Sequence, residues 1–231
     1  MSEADVLTES KPEDVTQLQA ENEEPRTDAE ELDAEALDAE ELDAEEQEEQ
    51  KELDPEVKAR RDAALRHVRK LGDPVLRAKA LPVQRFDADL ASEVRRMGEL
   101  MGDALGIGLA ATQIGVLHRV LVYRADPEQP ITALVNPVIE WASRETEVAD
   151  EGCLSIPHVQ VEVERPARVR VSGNSPDGES LQFEAEGLEA RVIQHEVDHL
   201  DGVLILDRIS RSARRDAMRA MREALAAEDA R

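Results

Sequence analysis

Gly187-Leu188-Glu189-Ala190-Arg191-Val192-Ile193-Gln194-His195-Glu196-Val197-Asp198-His199-Leu200 is the stretch on which the reading of the whole chain turns. It reads as one helix, ended by Asp201-Gly202, because apolar residues recur at helical spacing and a glycine follows the last turn. His195 and His199 stand four residues apart, so they project from one face, one turn apart, where both imidazoles can reach a single ion. Glu196 lies next to that face and can touch a water on the ion without taking a ligand position. By itself the pattern leaves several readings open: a solvated helix with ordinary histidines, a zinc peptidase, or another metallohydrolase. A third ligand from elsewhere is required.

Glu151-Gly152-Cys153-Leu154-Ser155 offers one. A lone cysteine usually packs as a small apolar residue. Cys153 instead sits between glycine and hydrogen-bonding residues, and its thiolate would complete a Cys-His-His tripod with the fourth position open, as in a catalytic site. It is the only cysteine in the chain, so no intrachain disulfide can form and a reducing cytoplasm is expected. A third feature is Gly106-Ile107-Gly108-Leu109-Ala110-Ala111-Thr112-Gln113. It lacks the Lys-Ser/Thr ending of a phosphate loop. Its two glycines and two alanines suit close approach by another backbone, and Gln113 brings an amide donor that can face a developing oxyanion.

The flanking elements set the architecture. Residues 55–71 read as a helix start followed by a basic segment, with Leu65, Val68 and Leu71 on one side, broken by Gly72-Asp73-Pro74. Asp87 is placed to cap a helix through about Leu105, where Leu90, Val94, Met97, Leu100, Met101 and Leu105 recur as core positions. Strand-like runs follow at Arg119–Arg124, Ile131–Val135, Val159–Glu164, Ala167–Ser172 and Leu181–Ala185, with a turn at Asn174–Gly178. A last helix is expected from Asp207 to Ala227. Helix, strands, then helices predict an α+β fold: antiparallel sheets packed around a central metal-binding helix, with a C-terminal helix.

The acidity of the protein is local. Residues 1–54 carry 23 Asp and Glu against 3 Lys and Arg, which is most of the net charge of −25. They contain no aromatic residue and repeat Asp28–Leu32, Asp33–Leu37 and Asp38–Leu42 at a period of five. Successive leucines then drift by about 140° around a helix and form no stripe. A disordered acidic extension over 1–54, before a catalytic domain over 55–231, is the expectation. No run is apolar enough to span a bilayer, and the acidic start resembles neither a secretory signal nor a transit peptide.

Gly106–Gln113, Glu151–Ser155 and Gln194–Leu200 together, in this order, resemble the three signature motifs of the peptide deformylases, and the similarity runs from about Gly72 to the C-terminal helix. The resemblance implies hydrolysis of the N-formyl group from the N-terminal formylmethionine of newly made polypeptides, with release of formate. It implies Cys153, His195 and His199 as ligands of one divalent metal, Fe²⁺ in the family, with Zn²⁺ or Ni²⁺ as substitutes. Glu196 would be the general base and then acid, with the Gln113 amide and the Leu154 N–H as oxyanion donors. The substrate would lie as an added strand beside Ile107, Gly108 and Gly152, its methionine between Ile107, Leu188, Val192 and the flank of His195. Glu151 and Arg165 would form a buried pair that holds the Cys153 loop. Asp198 is either an orienting partner of a ligand histidine or a solvated helix residue. Arg191 and Ala149 depart from the family's usual apolar choices; Arg191 is expected to snorkel, its charge in water.

On the last helix Arg208, Arg211, Arg215, Arg219 and Arg222 fall within roughly 80° of arc and opposite an apolar side. This is either a solvated face or a phosphate-binding one. In similar deformylases a basic C-terminal helix docks on the ribosome, so contact with ribosomal RNA is expected, by a monomer that touches no membrane.

Overall fold

The computed structural model describes residues 53–229. The extension expected over 1–54, with its repeat, lies outside the described residues except for its last two. Asp54 opens the described chain as a helix cap: its carboxylate accepts from the N–H groups of Glu56 (2.8 Å) and Val57 (3.4 Å), ahead of α1 (Pro55–Leu65). Proline stands at the first helical position, where its missing N–H costs nothing. The helix ends at Leu65. Residues 69–71 follow it after a turn and form a strap that enters a second turn at Leu71.

Asp87 caps α2 (Ala88–Asp103), accepting from Asp89 N and Leu90 N at 3.2 Å. Leu90, Met97 and Met101 are buried against β1 (Gly108–Ala110) and β2 (Val120–Tyr123), so the methionines fill the core as their spacing predicts. Leu105 does not. It follows the helix end with φ +58° and is 53% exposed, because the chain reverses after Ala104 to enter β1.

Two antiparallel sheets follow. One has five strands in the order β1-β2-β3-β6-β7, with β3 Thr132–Ala142, β6 Arg168–Asn174 and β7 Ser180–Glu186; the other is the hairpin β4 (Thr146–Cys153) with β5 (Ile156–Pro166). β3 runs well past the expected Ile131–Val135. The register to β6 shifts twice along it, and Asn136 has φ +53°, which breaks the alternation that pattern reading relies on. β4 was not foreseen at all. Its sequence, Thr-Glu-Val-Ala-Asp-Glu-Gly-Cys, is rich in residues that disfavour strands; its pairing to β5 from Thr146↔Pro166 to Gly152↔Gln160 makes it one.

The helix α3 (Gly187–Leu200) spans the residues read from sequence and buries Ala190, Ile193, Val197 and Leu200 against the five-stranded sheet. It also contacts β5. A turn of 3₁₀ helix, Ile205–Asp207, then leads to α4 (Arg211–Asp229), which starts later than the expected Asp207 and packs Met221 with Leu225 near β5. Gly202 makes the exit from α3 possible. It has φ +75°, and a Cβ there would lie 2.6 Å from the carbonyl oxygen of Arg77. Gly202→Ala is therefore expected to destabilise the fold by about 2 kcal/mol or more, read as a lower midpoint in urea unfolding.

Candidate active site

The helical spacing of His195 and His199 brings their ring centroids to 4.9 Å. The hairpin sheet brings Cys153, at the end of β4, to the same point: its Sγ is 3.2 Å from His199 Nε2, and the ligand atoms of the three residues all lie within 4.8 Å of one another. Burial works against a charged thiol, yet His199 and His195 beside it hold the Cys153 pKa well below its usual value. The cluster thus presents a thiolate and two imidazoles to one point, a donor set that fits a divalent transition metal. His195 Nδ1 is occupied by Glu151 Oε2 at 2.9 Å, which leaves Nε2 to face the cluster. Burial pulls the His195 pKa down, but contact with Cys153 and Glu151 outweighs it and carries the value up to about 10. Any ion bound here displaces that proton.

Glu196, the next residue on α3, is 3% exposed, and its Oε2 has no hydrogen-bond partner among the described residues; the same is true of His199 Nδ1. Burial pushes the Glu196 carboxyl above the ordinary range, and the nearby imidazoles only partly offset this. A carboxyl raised in this way takes up a proton more readily than a solvated one. Gly108 is what lets it stay there. A Cβ on Gly108 would collide with the Glu196 carboxylate and lie 2.9 Å from Val192 Cγ1. The close approach expected of this loop is therefore first an approach by the chain's own helix.

Behind the three residues lies a charge network that is buried at Glu151 and Arg165 and reaches the surface at Arg208. Arg165 Nε donates to Glu151 Oε1 at 2.6 Å and its Nη2 to Oε2 at 2.9 Å, with both side chains only 4% exposed. Burial alone would raise the Glu151 pKa, but Arg165 and His195 hold it down to about 2. Asp198 does not touch a ligand histidine. It accepts from Arg165 Nη1 at 2.9 Å and from Arg208 Nε at 2.9 Å, so it orients His195 only through Arg165 and Glu151. Arg208 is thereby removed from the basic stripe of the last helix. Arg191 is a second correction: its charge is not in water but donates to Glu151 Oε1 (2.8 Å), Val163 O (2.9 Å) and Glu147 O (2.8 Å).

On the opposite side of the cluster, Gln113 Oε1 accepts from Ala110 N at 2.8 Å, which turns Nε2 toward Ser155 Oγ (3.2 Å) and Cys153 Sγ (3.9 Å). Leu154 lies in the turn between β4 and β5, outside their ladder. The strap of residues 69–71 secures both loops: Arg69 N donates to Gln113 O (2.7 Å), Lys70 Nζ to Leu154 O (2.9 Å) and Leu71 N to Ser155 O (2.9 Å). Sequence reading assigned no role to Lys70, which sits in no motif, or to Ser155, although it closes the Glu151–Ser155 motif. Ile107, Gly108, Gly152, Leu188 and Val192 line one open cleft of about 1440 Å³ with Cys153, His195 and Glu196. Ile107 and Leu188 are half exposed in it. β1 is an end strand of its sheet and β4 of the hairpin, so each has an unpaired edge beside this cleft.

The family model for polypeptide deformylase matches residues 65–215 of the chain. A peptide deformylase of Thermotoga neapolitana is 50% identical over 147 residues, covering 64% of this chain and 88% of that protein. One of a Parafrankia species is 43% identical over 161 residues, covering 70% and 87%. Among solved structures, a peptide deformylase of Synechococcus elongatus in complex with actinonin superposes with a TM-score of 0.63 at 43% identity, covering 65% of this chain and 84% of that one.

The network makes two linked predictions. Glu151→Gln should weaken metal binding about 10–100-fold, as loss of an orienting partner does, measured by competition with a chelator; unchanged affinity would remove Glu151 from that role. Glu151 titrates at about 2 in the fold against 4.5 when free, so its contribution is complete above about pH 4.5 and is lost as the pH falls toward 2. Across that window the wild type should lose stability more steeply than Glu151→Gln.

Proposed function

This chain belongs to the polypeptide deformylase family, and we propose that Cys153, His195 and His199 hold its catalytic metal with Glu196 as the proton-transfer group. The reaction is hydrolytic removal of the N-formyl group from newly synthesised polypeptides. What carries the assignment of residues is the meeting of the three ligand atoms within 4.8 Å beside a buried carboxylate whose Oε2 has no hydrogen-bond partner among the described residues. A divalent ion in this tripod supplies the positive charge that acidifies a water and polarises the formyl carbonyl.

The protein's own groups do the rest. Glu196 takes a proton from the attacking water as the new C–O bond forms, then delivers it to the peptide nitrogen as the C–N bond breaks, leaving formate and a free amine. Its burial-raised pKa suits both halves of that transfer. The Gln113 Nε2–H and the Leu154 N–H donate to the carbonyl oxygen as it gains charge. The peptide adds as a strand along Ile107, Gly108 and Gly152, with its N-terminal side chain against Leu188 and Val192. Main-chain pairing of this kind gives affinity with little dependence on downstream sequence.

For the ion we take Fe²⁺, the choice implied by the resemblance, although a thiolate with two imidazoles also accepts Zn²⁺ or Ni²⁺. Residues 55–231 form the catalytic domain and 1–54 a separate acidic extension. The enzyme acts as a monomer in the cytoplasm; no helix among the described residues is long and apolar enough to cross a membrane. On α4, Arg214, Arg215, Arg219 and Arg222 border one groove, while Ala217, Met221 and Leu225 pack inward. This outward arginine stripe is the surface for ribosomal RNA.

Formate release from a formyl-Met peptide, without cleavage of the unformylated peptide, tests the reaction; the reverse result would indicate a peptidase. Glu196→Gln should lower kcat about 10²–10⁴-fold with the metal retained. Gln113→Ala removes the donor together with the acceptor for Ala110 N; a loss of about 10²–10³ in kcat with the metal retained is expected. Activity that decays in air alongside loss of iron would support Fe²⁺, and full activity after aerobic storage would overturn it. Ribosome affinity should fall steeply with added salt; salt-insensitive binding, or none, would count against the α4 surface.

A further inference from the structure

Leu188, Arg191, Val192 and His195 recur at helical spacing on α3, and all four line the cleft. Three of them are apolar or a metal ligand. The fourth is a guanidinium with no place in the chemistry, held inside the cleft with only 11% of its side chain exposed. Its position is over-determined. Nη1 donates to Glu151 Oε1 and Val163 O, and Nη2 donates to Glu147 O, all at 2.8–2.9 Å.

These three acceptors share a relation that becomes visible in the register of the hairpin. Glu147 and Glu151 lie two residues to either side of Ala149 in β4, and Val163 is the residue paired with Ala149 across the ladder. Side chains two apart on a strand share a face, and so do directly paired residues. Two of the acceptors are main-chain carbonyls and the third is the Glu151 carboxylate, and the register places the exposed Ala149 between the three residues that supply them. A side chain of one methyl leaves the guanidinium's place free, whereas a branched aliphatic at 149 would contend for the same space. With its head fixed at three points, the stem of Arg191 cannot swing as a free arginine does, and it forms a fixed stretch of the cleft wall between Leu188 and His195.

We propose that Arg191 and Ala149 act as one unit that determines specificity: Ala149 makes room for the guanidinium, and the immobilised stem of Arg191 sets the width of the pocket that receives the substrate's N-terminal side chain. The inference rests on the placement of that pocket under the proposed function. Lysine cannot replace arginine here, because a single ammonium has no planar fork to span acceptors on two strands. Arg165 holds both oxygens of Glu151 independently, so the metal site does not depend on Arg191.

The test is a double-mutant cycle with Arg191→Leu and Ala149→Leu, read on formyl-Met, formyl-Phe and formyl-Ala peptides. Each single variant should lower kcat/KM for formyl-Met at least about fivefold, chiefly through KM, and shift the preference among the three peptides, as a change of roughly one methylene in a pocket does. Metal content should be unchanged. The double variant, an apolar pair of similar total bulk, should recover formyl-Met activity to within about threefold of wild type. Arg191→Lys should behave as Arg191→Leu. Single effects that simply multiply in the double variant would overturn the pairing. A fall in kcat equal for all three peptides, or loss of metal in Arg191→Leu, would make Arg191 only a prop for Glu151 and overturn its role in specificity. The same cycle in urea unfolding requires no turnover: coupled midpoints without any deformylase activity would sink the proposed function and leave the pair standing, whereas additive midpoints with full activity would do the reverse.

Discussion

Glu151 is the point through which the two halves of the site are fixed to each other. One carboxylate belongs to the hairpin that carries Cys153, and it accepts from His195 Nδ1 on α3, from both ends of Arg165 and from Arg191. The cysteine and the histidines sit on separate elements, since β4 and β5 form a sheet of their own, and Glu151 joins them directly, beside the ties that Arg165–Asp198 and the main-chain bonds of Arg191 provide. A tripod of ligands is useful only if its members are held close to the geometry of the ion before it arrives. Glu151 supplies that constraint on the hairpin side, and the helical repeat supplies it on the other.

So much buried charge is sustainable only because every member is paired. Arg165 bridges Glu151 and Asp198, and Arg208 closes the chain on Asp198 from the turn after α3. Removing any one partner would strand another in a medium that solvates it poorly, which is why such networks break at a high cost even when their net contribution to stability is small. The network also explains a division of labour between neighbours on one helix. His195 is drawn into it through Nδ1, whereas Glu196, one residue on, has an Oε2 with no hydrogen-bond partner among the described residues and a pKa raised by burial. The same helix therefore holds one group rigid and leaves the next free to exchange protons.

The degree to which the molecule could be read in advance differs by element. α3 and the cap of α2 at Asp87 were legible because their signals are local: an apolar repeat, a capping side chain, a glycine at the end. β4 was illegible because its strand character comes from pairing with β5, not from its own acidic residues. Arg208 was misplaced on the basic stripe for a similar reason. The 3₁₀ turn at Ile205–Asp207 delays α4 to Arg211 and turns Arg208 toward Asp198, and no periodicity in the sequence marks that turn. Residues 69–71 read only as part of a basic segment after a helix start, yet they serve as a clasp on the two loops that carry Gln113 and Leu154.

By itself the sequence determined the chemistry on offer: two imidazoles one turn apart, a carboxylate between them, a single thiol in a glycine-containing loop, and the order of three motifs that places the chain in its family. Those follow from spacing along one helix and from residue identity, which need no knowledge of distant partners. Beyond the Glu151–Arg165 pair that the resemblance implies, tertiary structure decided where the charges went. Glu151 reaches Arg165 across 14 residues and His195 across 44, and Arg191 reaches the main chain at Glu147 and Val163. Such partnerships depend on the register of a hairpin and on its packing against a helix. A lone arginine in water and one held at Glu151, Val163 and Glu147 have the same sequence, and only the fold, by removing the water, makes the three acceptors the place where its charge resides.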